Sequence, residues 1–256
     1  MKTSTTQPLT YETDKALSQY MLFHYGSDQD QLPFSFGPKN ALNFPVRCVT
    51  ECLDVADLPV HATALELGCA VGRSSFELSR YCEHVLSIDY SQNFITAAKH
   101  IQQKGKLEYQ IVEEGTKIAN RLARIPSGVH PERIDFKCGN AMDLSRVIDK
   151  FDVVLSANVL CRMPDPIAFL NVLPHLVASK GQLILISPYS WLDHFTPRSN
   201  WIDNQATGSV LDVIQEVLLD AFDLQRVFDM SFLLRDHLRK YEWGVSQATI
   251  WKRKTE

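Results

Sequence analysis

Short apolar runs alternate with amphipathic stretches between residues 63 and 187, and this alternation determines the predicted fold. Strands are predicted where the chain is apolar along nearly its whole length, at residues 63–67, 84–89, 134–138, 151–156 and 182–187. Helices are predicted between these runs, at residues 74–81, 91–103 and 165–177. Strands that are apolar on both faces and separated by helices indicate a parallel sheet that is covered on both sides.

The C-terminal part of the chain extends this sheet. A helical pattern covers residues 208–221, and further strands are expected at residues 222–230 and 247–251. These two strands bring the predicted number to seven. We therefore predict an α/β fold with a seven-stranded, mostly parallel sheet and helices on both faces.

Residues 1–58 precede the first strand and form an N-terminal extension. One helix is expected at residues 11–25 and another from residue 43 to about residue 56, with an aromatic loop between them at residues 32–38. This aromatic content suits a helical lid over a ligand cleft. Residues 1–10 are expected to be a loose lead-in.

A second segment, residues 106–134, is longer than a simple connection. Residues 107–112 alternate like an exposed strand, and a helical piece is expected from residue 113 to about residue 125. A segment of this length is predicted to have structure of its own. We therefore divide the chain into the extension 1–58 and a core, residues 59–256, which carries the inserted segment.

Composition narrows the classes of partner. The formal net charge is −4 and the basic residues are scattered, so nucleic acid is not an expected partner. No apolar stretch is long enough to span a membrane, and the start of the chain lacks the apolar core of a signal peptide. The six cysteines form no C-x-x-C pair. We expect reduced thiols, no metal site and a cytoplasmic protein.

The most informative stretch is residues 64–75, where an apolar strand ends in an acid and a glycine turn before a helix. Such a turn lets backbone approach a ligand and points N–H groups at it. Asp89 follows Gly72 by seventeen residues and ends the next strand, where an acid can bind the hydroxyls of a ribose. Ala70 replaces the middle glycine of the dinucleotide fingerprint, and Glu66 would repel a pyrophosphate. A ligand with an amine and a sulfonium cation is favoured instead.

This pattern resembles the first motif of the class I S-adenosylmethionine (SAM) methyltransferases, which is usually E-x-G-x-G-x-G. The resemblance implies a Rossmann-like class I methyltransferase fold and SAM as the cofactor. Residues 139–142 also resemble a G-D-A element of these enzymes, in which the acid binds the adenine amine. Here Asn140 replaces the acid and can still accept from the amine, or it is a turn residue.

Together, strand ends and resemblance define the candidate cofactor-binding residues. They are Glu66, Gly68, Cys69, Gly72, Asp89, Tyr90, Asn140, Ala141, Met142 and Ala157. In open α/β sheets, ligands bind at the carboxyl ends of the strands, which is where these residues fall.

Candidates for substrate binding and catalysis lie in three segments. Asn158 follows the fourth strand and either orients a ligand or caps the next turn. Tyr189 and Trp191 belong to a polar and aromatic loop, residues 187–197, and either contact a flat ring or fill the core. From the N-terminal extension, Arg47 is a candidate for a carboxylate, and the catalytic candidates are His24 and Tyr25. A lone histidine of this kind is often simply hydrogen-bonded.

A closer resemblance covers most of the chain from residue 11 onward. Residues 11–15, 22–26, 43–48, 112–115, 165–166, 187–191, 195–197 and Trp201 resemble the 5-thiohistidine (4-mercaptohistidine) N-methyltransferase family of ovothiol biosynthesis. This resemblance implies methyl transfer from SAM to an imidazole nitrogen of 5-thiohistidine, giving ovothiol A, and functional coupling to a sulfoxide synthase. It also implies that Tyr25, His24 or Asn158 holds the imidazole in its reactive tautomer. The alternatives are a SAM methyltransferase of another small molecule, an NAD-linked oxidoreductase and a non-catalytic SAM-binding protein.

Overall fold

The computed structural model describes residues 9–144, 149–202 and 208–255. Most of the lead-in expected at residues 1–10 lies outside this part of the chain. The strands are β1 (Thr63–Leu67), β2 (His84–Asp89), β3 (Lys106–Glu114), β4 (Lys117–Arg124), β5 (Ile134–Cys138), β6 (Phe151–Ala157), β7 (Val177–Ser187), β8 (Phe222–His237) and β9 (Lys240–Arg253). The α-helices are α1 (Asp14–Tyr25), α2 (Asp28–Gln31), α3 (Phe44–Thr50), α4 (Arg73–Leu78), α5 (Gln92–Lys104), α6 (Pro166–Leu176) and α7 (Val210–Leu218).

Seven of the described strands form one sheet in the order β5-β2-β1-β6-β7-β9-β8. The five strands from β5 to β7 pair in parallel, and β9 runs antiparallel to both β7 and β8. The chain order jumps from β1 outward to β2 on one side and β6 on the other. A ligand cleft is expected at such a switch point, beside the carboxyl end of β1.

Both faces of the central strands are buried, as their apolar sequences predicted. Ala64 on β1 belongs to one apolar cluster, while its neighbour Leu65 belongs to the other. On β6, Val153 and Val154 divide in the same way. Because successive side chains of a strand point to opposite faces, a run without polar positions buries both. The predicted seven-stranded, mostly parallel α/β sheet is confirmed.

The predicted helical piece after residue 113 is wrong. The chain turns at Gly115 (φ +57°), and β4 pairs antiparallel with β3 to form a hairpin. The alternation of β4 was hard to recognise because its inward positions include the small residues Ala119 and Ala123, while Ile118 is exposed. The hairpin packs against α1 and α5 through β3, so the inserted segment lies beside the N-terminal extension.

The two C-terminal strands are longer than predicted, with 16 residues in β8 and 14 in β9. Past the stretch of β9 that pairs with β7, β8 and β9 continue together as a two-stranded ribbon, in which β8 contacts α1 and α3. Apolar residues of these helices, among them Met21 and Phe44, share one cluster with Phe232 of β8. The extension therefore packs on the core; its action as a lid stays a prediction. In the described part of the chain, the helices are too short or too polar to cross a membrane.

Candidate active site

The turn between β1 and α4 is built by residues with left-handed backbone. Gly68 has φ +78°, Ala70 φ +47° and Gly72 φ +86°. A side chain on Gly68 would collide with Cγ2 of Val159, and a Cβ on Gly72 would lie 2.7 Å from the ring of Phe136. Both glycines are therefore required by close packing as well as by backbone conformation. The alanine at the middle position adopts the turn without disrupting it.

Glu66 ends inside a cavity at the carboxyl edge of the sheet. Its carboxylate accepts hydrogen bonds from the hydroxyl of Ser75 at 2.5 Å and from the hydroxyl of Ser74. Burial raises the pKa of Glu66 to about 7. Among the described residues no cation pairs with this buried carboxylate, so it is suited to receive an ammonium group of a ligand.

Asp89 lines the same cavity from the end of β2. One carboxylate oxygen accepts from the backbone N–H of Ala70 and the other from that of Ser91, both at 2.8 Å. Burial raises the pKa of Asp89 to about 6. The two N–H groups fix the carboxylate, and the lone pairs left over can accept from vicinal hydroxyls of a ribose. Tyr90, half exposed, lines the cavity next to it.

Asn140 is a turn residue that also lines the cavity. Its side-chain oxygen accepts from the backbone N–H of Met142 at 2.9 Å, as a turn residue does. It also lines the cavity together with Ala141, so the amide stays within reach of a ligand. Ala157, at the end of β6, also lines the cavity.

Three predicted cofactor residues are not among the described residues that line the cavity. Cys69 is fully buried under the turn, with its thiol 3.7 Å from the carbonyl oxygen of Ala70. Gly72 contributes the packing described above, and Met142 packs against the apolar cluster on the other side of the sheet. Cys69 and Gly72 support the turn and Met142 the core, and the binding of a cofactor by these three residues stays a prediction.

His24 lines the cavity from α1. Its Nδ1 accepts from the backbone N–H of Arg73 at 3.4 Å, and burial lowers its pKa to about 3. The imidazole is therefore neutral and carries its proton on Nε2. In this form His24 is a hydrogen-bond donor and not a general base.

Asn158 follows β6 in left-handed conformation, with φ +59°, and lines the cavity. Its side-chain oxygen accepts from the hydroxyl of Ser246 on β9 at 2.8 Å. The side chain therefore does not cap the following turn. Ser246 fixes the amide so that its nitrogen can act as a further donor.

Arg47 is not at the cavity, and its predicted role toward a carboxylate is corrected. The guanidinium donates to the carbonyl oxygens of Asn40 at 2.7 Å and Ser231 at 2.9 Å, and it pairs with Glu51 at 2.7 Å. These bonds attach α3 to β8 and leave the charge already neutralised. The sequence showed the cation but not the direction of its side chain.

The other aromatic candidates also lie outside the lining of the cavity. Tyr25 donates its hydroxyl to the carbonyl oxygen of Val71 at 2.7 Å, which ties α1 to the glycine turn. Tyr189 donates to the side-chain oxygen of Gln247 at 3.0 Å, and Trp191 is buried in the apolar cluster near α6. For Tyr189 and Trp191 this is the packing alternative weighed for their loop, and the catalytic role predicted for Tyr25 is replaced by a contact between α1 and the turn.

Sequence reasoning missed the residues that form the rest of the cavity wall. Tyr11 stacks on Phe195 with ring centroids 5.7 Å apart, and Tyr20 lies 4.8 Å from Phe94. Arg162 follows β6 in a short 3-10 turn, Leu160–Arg162, and also lines the cavity. The sequence offered one signal for Arg162, which is a cation a few residues after the fourth predicted strand.

The residues that line the cavity fit SAM. The buried carboxylate of Glu66 and the half-buried carboxylate of Asp89 stand where an amine and a ribose require acceptors. An amide oxygen stands at the third strand end, where a purine amine requires one. Tyr11, Tyr20, Phe94 and Phe195 contribute aromatic surface to the same lining. We call the part around Glu66, Asp89 and Asn140 the cofactor end, and the part around His24, Arg162 and Phe195 the acceptor end.

Comparison with known proteins assigns the class. Residues 65–185 match the family model of a methyltransferase domain. A SAM-dependent methyltransferase from Methanosarcina mazei is similar in structure, with 16% identity, a TM-score of 0.53 and coverage of 78% of this chain and 96% of that one. The N-methyltransferase NodS from Bradyrhizobium japonicum WM9, in complex with S-adenosyl-L-homocysteine, has 13% identity, a TM-score of 0.51 and coverage of 93% and 98%. No curated protein matches the chain significantly.

Residues 65–185 therefore form a methyltransferase domain with the class I fold. The protein is a SAM-dependent methyltransferase, and SAM is its cofactor.

Proposed function

We propose that the protein transfers a methyl group from SAM to an imidazole nitrogen of 5-thiohistidine, giving ovothiol A. The observation that carries this proposal is the acceptor end, where neutral His24, the amide of Asn158 and the guanidinium of Arg162 face the same cavity. When bound, SAM supplies an electrophilic methyl group on a sulfonium sulfur. The nitrogen lone pair forms the new N–C bond as the C–S bond breaks, and the imidazole proton passes to solvent.

The state of His24 supports a mechanism without a general base. A neutral imidazole nitrogen is already nucleophilic, so the protein needs chiefly to align nitrogen, methyl carbon and sulfur. His24 presents an N–H and Asn158 an NH2 group, and each can donate to an acceptor atom of a thioimidazole. A donor placed at the sulfur would orient the ring, while the unreactive nitrogen keeps its proton and the other nitrogen presents its lone pair to the methyl group.

The walls of the cavity suit a small flat ring. Tyr11, Tyr20, Phe94 and Phe195 contribute aromatic surface, while the polar groups are few and fixed by protein partners. Such cavities bind small molecules with apolar contact and orient them with a small number of hydrogen bonds. All six cysteines are free thiols in the structure, which agrees with a reducing compartment such as the cytoplasm and with a thiol-bearing substrate.

A mass-spectrometric methylation assay tests the proposal. The protein is incubated with SAM and, separately, with 5-thiohistidine, histidine and a panel of small thiols and amines. We expect a gain of one methyl on the ring of 5-thiohistidine and little or none on histidine. Turnover of another member of the panel alone would contradict the thiohistidine assignment and favour a methyltransferase of a different small molecule.

Coupling to a sulfoxide synthase belongs to the same proposal. A histidine ring has no sulfur until another reaction installs it, so the enzyme requires a supply of thiolated histidine. Addition of a sulfoxide synthase with histidine and a sulfur donor should allow ovothiol formation without added 5-thiohistidine. If methylation needs exogenous 5-thiohistidine even then, the coupling is wrong while the methyl transfer stands.

A further inference from the structure

Among the described residues that line the cavity, one is an arginine, Arg162. It lies at the end of the 3-10 turn Leu160–Arg162, directly after β6 and the ligand-facing Ala157 and Asn158. Its guanidinium lies 5.5 Å from the ring centroid of Phe195, which forms part of the acceptor end. The charge is therefore fixed at the acceptor end and half-buried there.

The contacts of Arg162 hold the side chain without neutralising it. Nη1 donates to the carbonyl oxygens of Ser190 at 2.6 Å and Cys161 at 3.0 Å, and Nε lies 3.4 Å from the hydroxyl of Tyr11. Within the described part of the chain, no carboxylate forms an ion pair with it and Nη2 makes no hydrogen bond. Three anchored donors and one unused NH2 group leave the guanidinium pre-oriented.

Other arginines near the site show the contrast. Arg73 is paired with Glu77, and Arg47 is paired with Glu51. A half-buried cation without an acid partner loses hydration and gains no ion pair in return. The unused donors of Arg162 are best satisfied by an anion that enters with a ligand, and a carboxylate matches the geometry of a guanidinium.

We propose that Arg162 binds the α-carboxylate of the acceptor amino acid and so selects acceptors that carry one. The inference rests on the proposed function, since 5-thiohistidine is an α-amino acid. SAM also has a carboxylate, on its methionine part, and is the other possible source of the same chemistry. The position of Arg162 beside Phe195 and Ser190, in the loop after β7, favours the acceptor.

The test compares two acceptors in two variants. Steady-state methylation is measured with 5-thiohistidine and with the amine that remains when its carboxylate is removed, and the Kd of SAM is measured by calorimetry. In Arg162→Gln we expect the KM for the thiolated histidine to rise roughly 10- to 100-fold, the range for a lost charged hydrogen bond. The kcat, the KM for the decarboxylated amine and the Kd of SAM should change less than about twofold on the same scale.

Arg162→Lys and Arg133→Gln complete the design. Lysine keeps the charge but not the planar fork, so the KM of Arg162→Lys for 5-thiohistidine should lie between the values of wild type and Arg162→Gln. Arg133 is likewise half-buried and bound to backbone carbonyls, those of Ser79 and Cys82, but is outside the cavity, so its variant should keep the wild-type KM. This control separates carboxylate binding from general loss of an interior guanidinium.

The outcomes are distinguishable. If wild type does not methylate 5-thiohistidine, the proposed function fails and this inference with it. If wild type is active but Arg162→Gln leaves the KM unchanged, or weakens both acceptors equally, the inference alone is wrong. A rise in the Kd of SAM with an unchanged acceptor KM would overturn it in favour of the cofactor's carboxylate.

Discussion

The two ends of the cavity are assembled differently. Most of the cofactor end comes from residues 66–89. Glu66 and Gly68 lie at the end of β1, and Asp89 ends the adjacent parallel strand β2. The acceptor end is built from distant segments that meet only in the fold, as His24, Arg162 and Phe195 show. Local backbone geometry therefore determines the first end, whereas long-range packing determines the second.

Because of this difference, substitutions at the two ends should have different effects. At the cofactor end, hydrogen bonds run to backbone groups of the same turn, such as the N–H of Ala70 to Asp89. At the acceptor end, side chains on α1 and on the loops after β6 and β7 must each be held by separate contacts. Changes at the cofactor end should therefore affect SAM binding and folding together, and changes at the acceptor end should affect acceptor binding without affecting SAM binding.

The largest expected effect is that of Gly68→Ala. The new side chain would collide with Val159 and would also require φ +78°. We expect the free energy of unfolding to fall by about 2–5 kcal/mol. A turn displaced by about 1 Å should weaken SAM binding about 100-fold. Urea unfolding and calorimetric titration with SAM measure the two effects.

Gly105→Ala is the matched control for this variant. Gly105 has nearly the same φ, +75°, but a Cβ there would meet no atom within 4 Å. Only backbone strain remains, which costs about 1 kcal/mol and should leave SAM affinity unchanged. If both variants behaved alike, close packing against Val159 would not be the reason for glycine at the turn.

Glu66→Gln should have the next largest effect. We expect SAM affinity at neutral pH to fall about tenfold because a charged hydrogen bond to the amine is lost. Since the folded pKa of Glu66 is about 7, wild-type affinity should rise as the pH increases through 7, whereas the variant should lack this dependence. Calorimetry at several pH values between about 5.5 and 8 measures the pH dependence of the Kd of SAM in both proteins.

The same residue predicts a change in stability with the opposite sign. The folded pKa lies above the ordinary value of 4.5, so the folded state binds more protons between these two values. The free energy of unfolding of the ligand-free protein should therefore decrease as the pH rises from about 4.5 to about 7. Glu66→Gln should reduce this slope, and an unchanged slope would show that Glu66 is not buried as the structure has it.

The sequence was sufficient for the cofactor end and for the central sheet because both are local patterns. The apolar runs at 84–89 and 134–138 have the bounds of β2 and β5. The acceptor end depended on side-chain direction, which no spacing encodes: Arg47 points to Ser231, while Arg162, not recognised, points to the cavity. The hairpin β3–β4 was missed in part because small inward residues weakened its alternation.

His24 should have a smaller effect, confined to the acceptor. His24→Leu removes a neutral donor and should lower kcat/KM for the acceptor roughly 3- to 10-fold, with the Kd of SAM unchanged. His24→Gln, which retains a donor, should recover part of the loss. Because the pKa of His24 is about 3, the activity should show no dependence on its protonation between pH 5 and 8 in any of the three proteins.

Stability gives an independent test of the same histidine. Its folded pKa lies below the ordinary 6.5, so the unfolded chain binds the extra proton as the pH falls from about 6.5 to about 3. Wild type should lose stability over this range relative to His24→Leu. If kinetic data instead showed an essential base with a pKa near 6.5 that disappears in His24→Leu, the donor role would be wrong.

The smallest effect on activity is expected at Arg47, where the first interpretation of the sequence placed the carboxylate. Arg47→Ala leaves the carbonyl oxygens of Asn40 and Ser231 without a donor, so the free energy of unfolding should fall by about 1–3 kcal/mol. Glu51→Ala removes only the exposed ion pair and should cost at most about 1 kcal/mol. Neither variant should change the acceptor KM more than about twofold, a change worth less than a single weak hydrogen bond. A large rise in that KM for Arg47→Ala, with Arg162→Gln unaffected, would reverse the two assignments and move the acceptor end of the cavity toward α3.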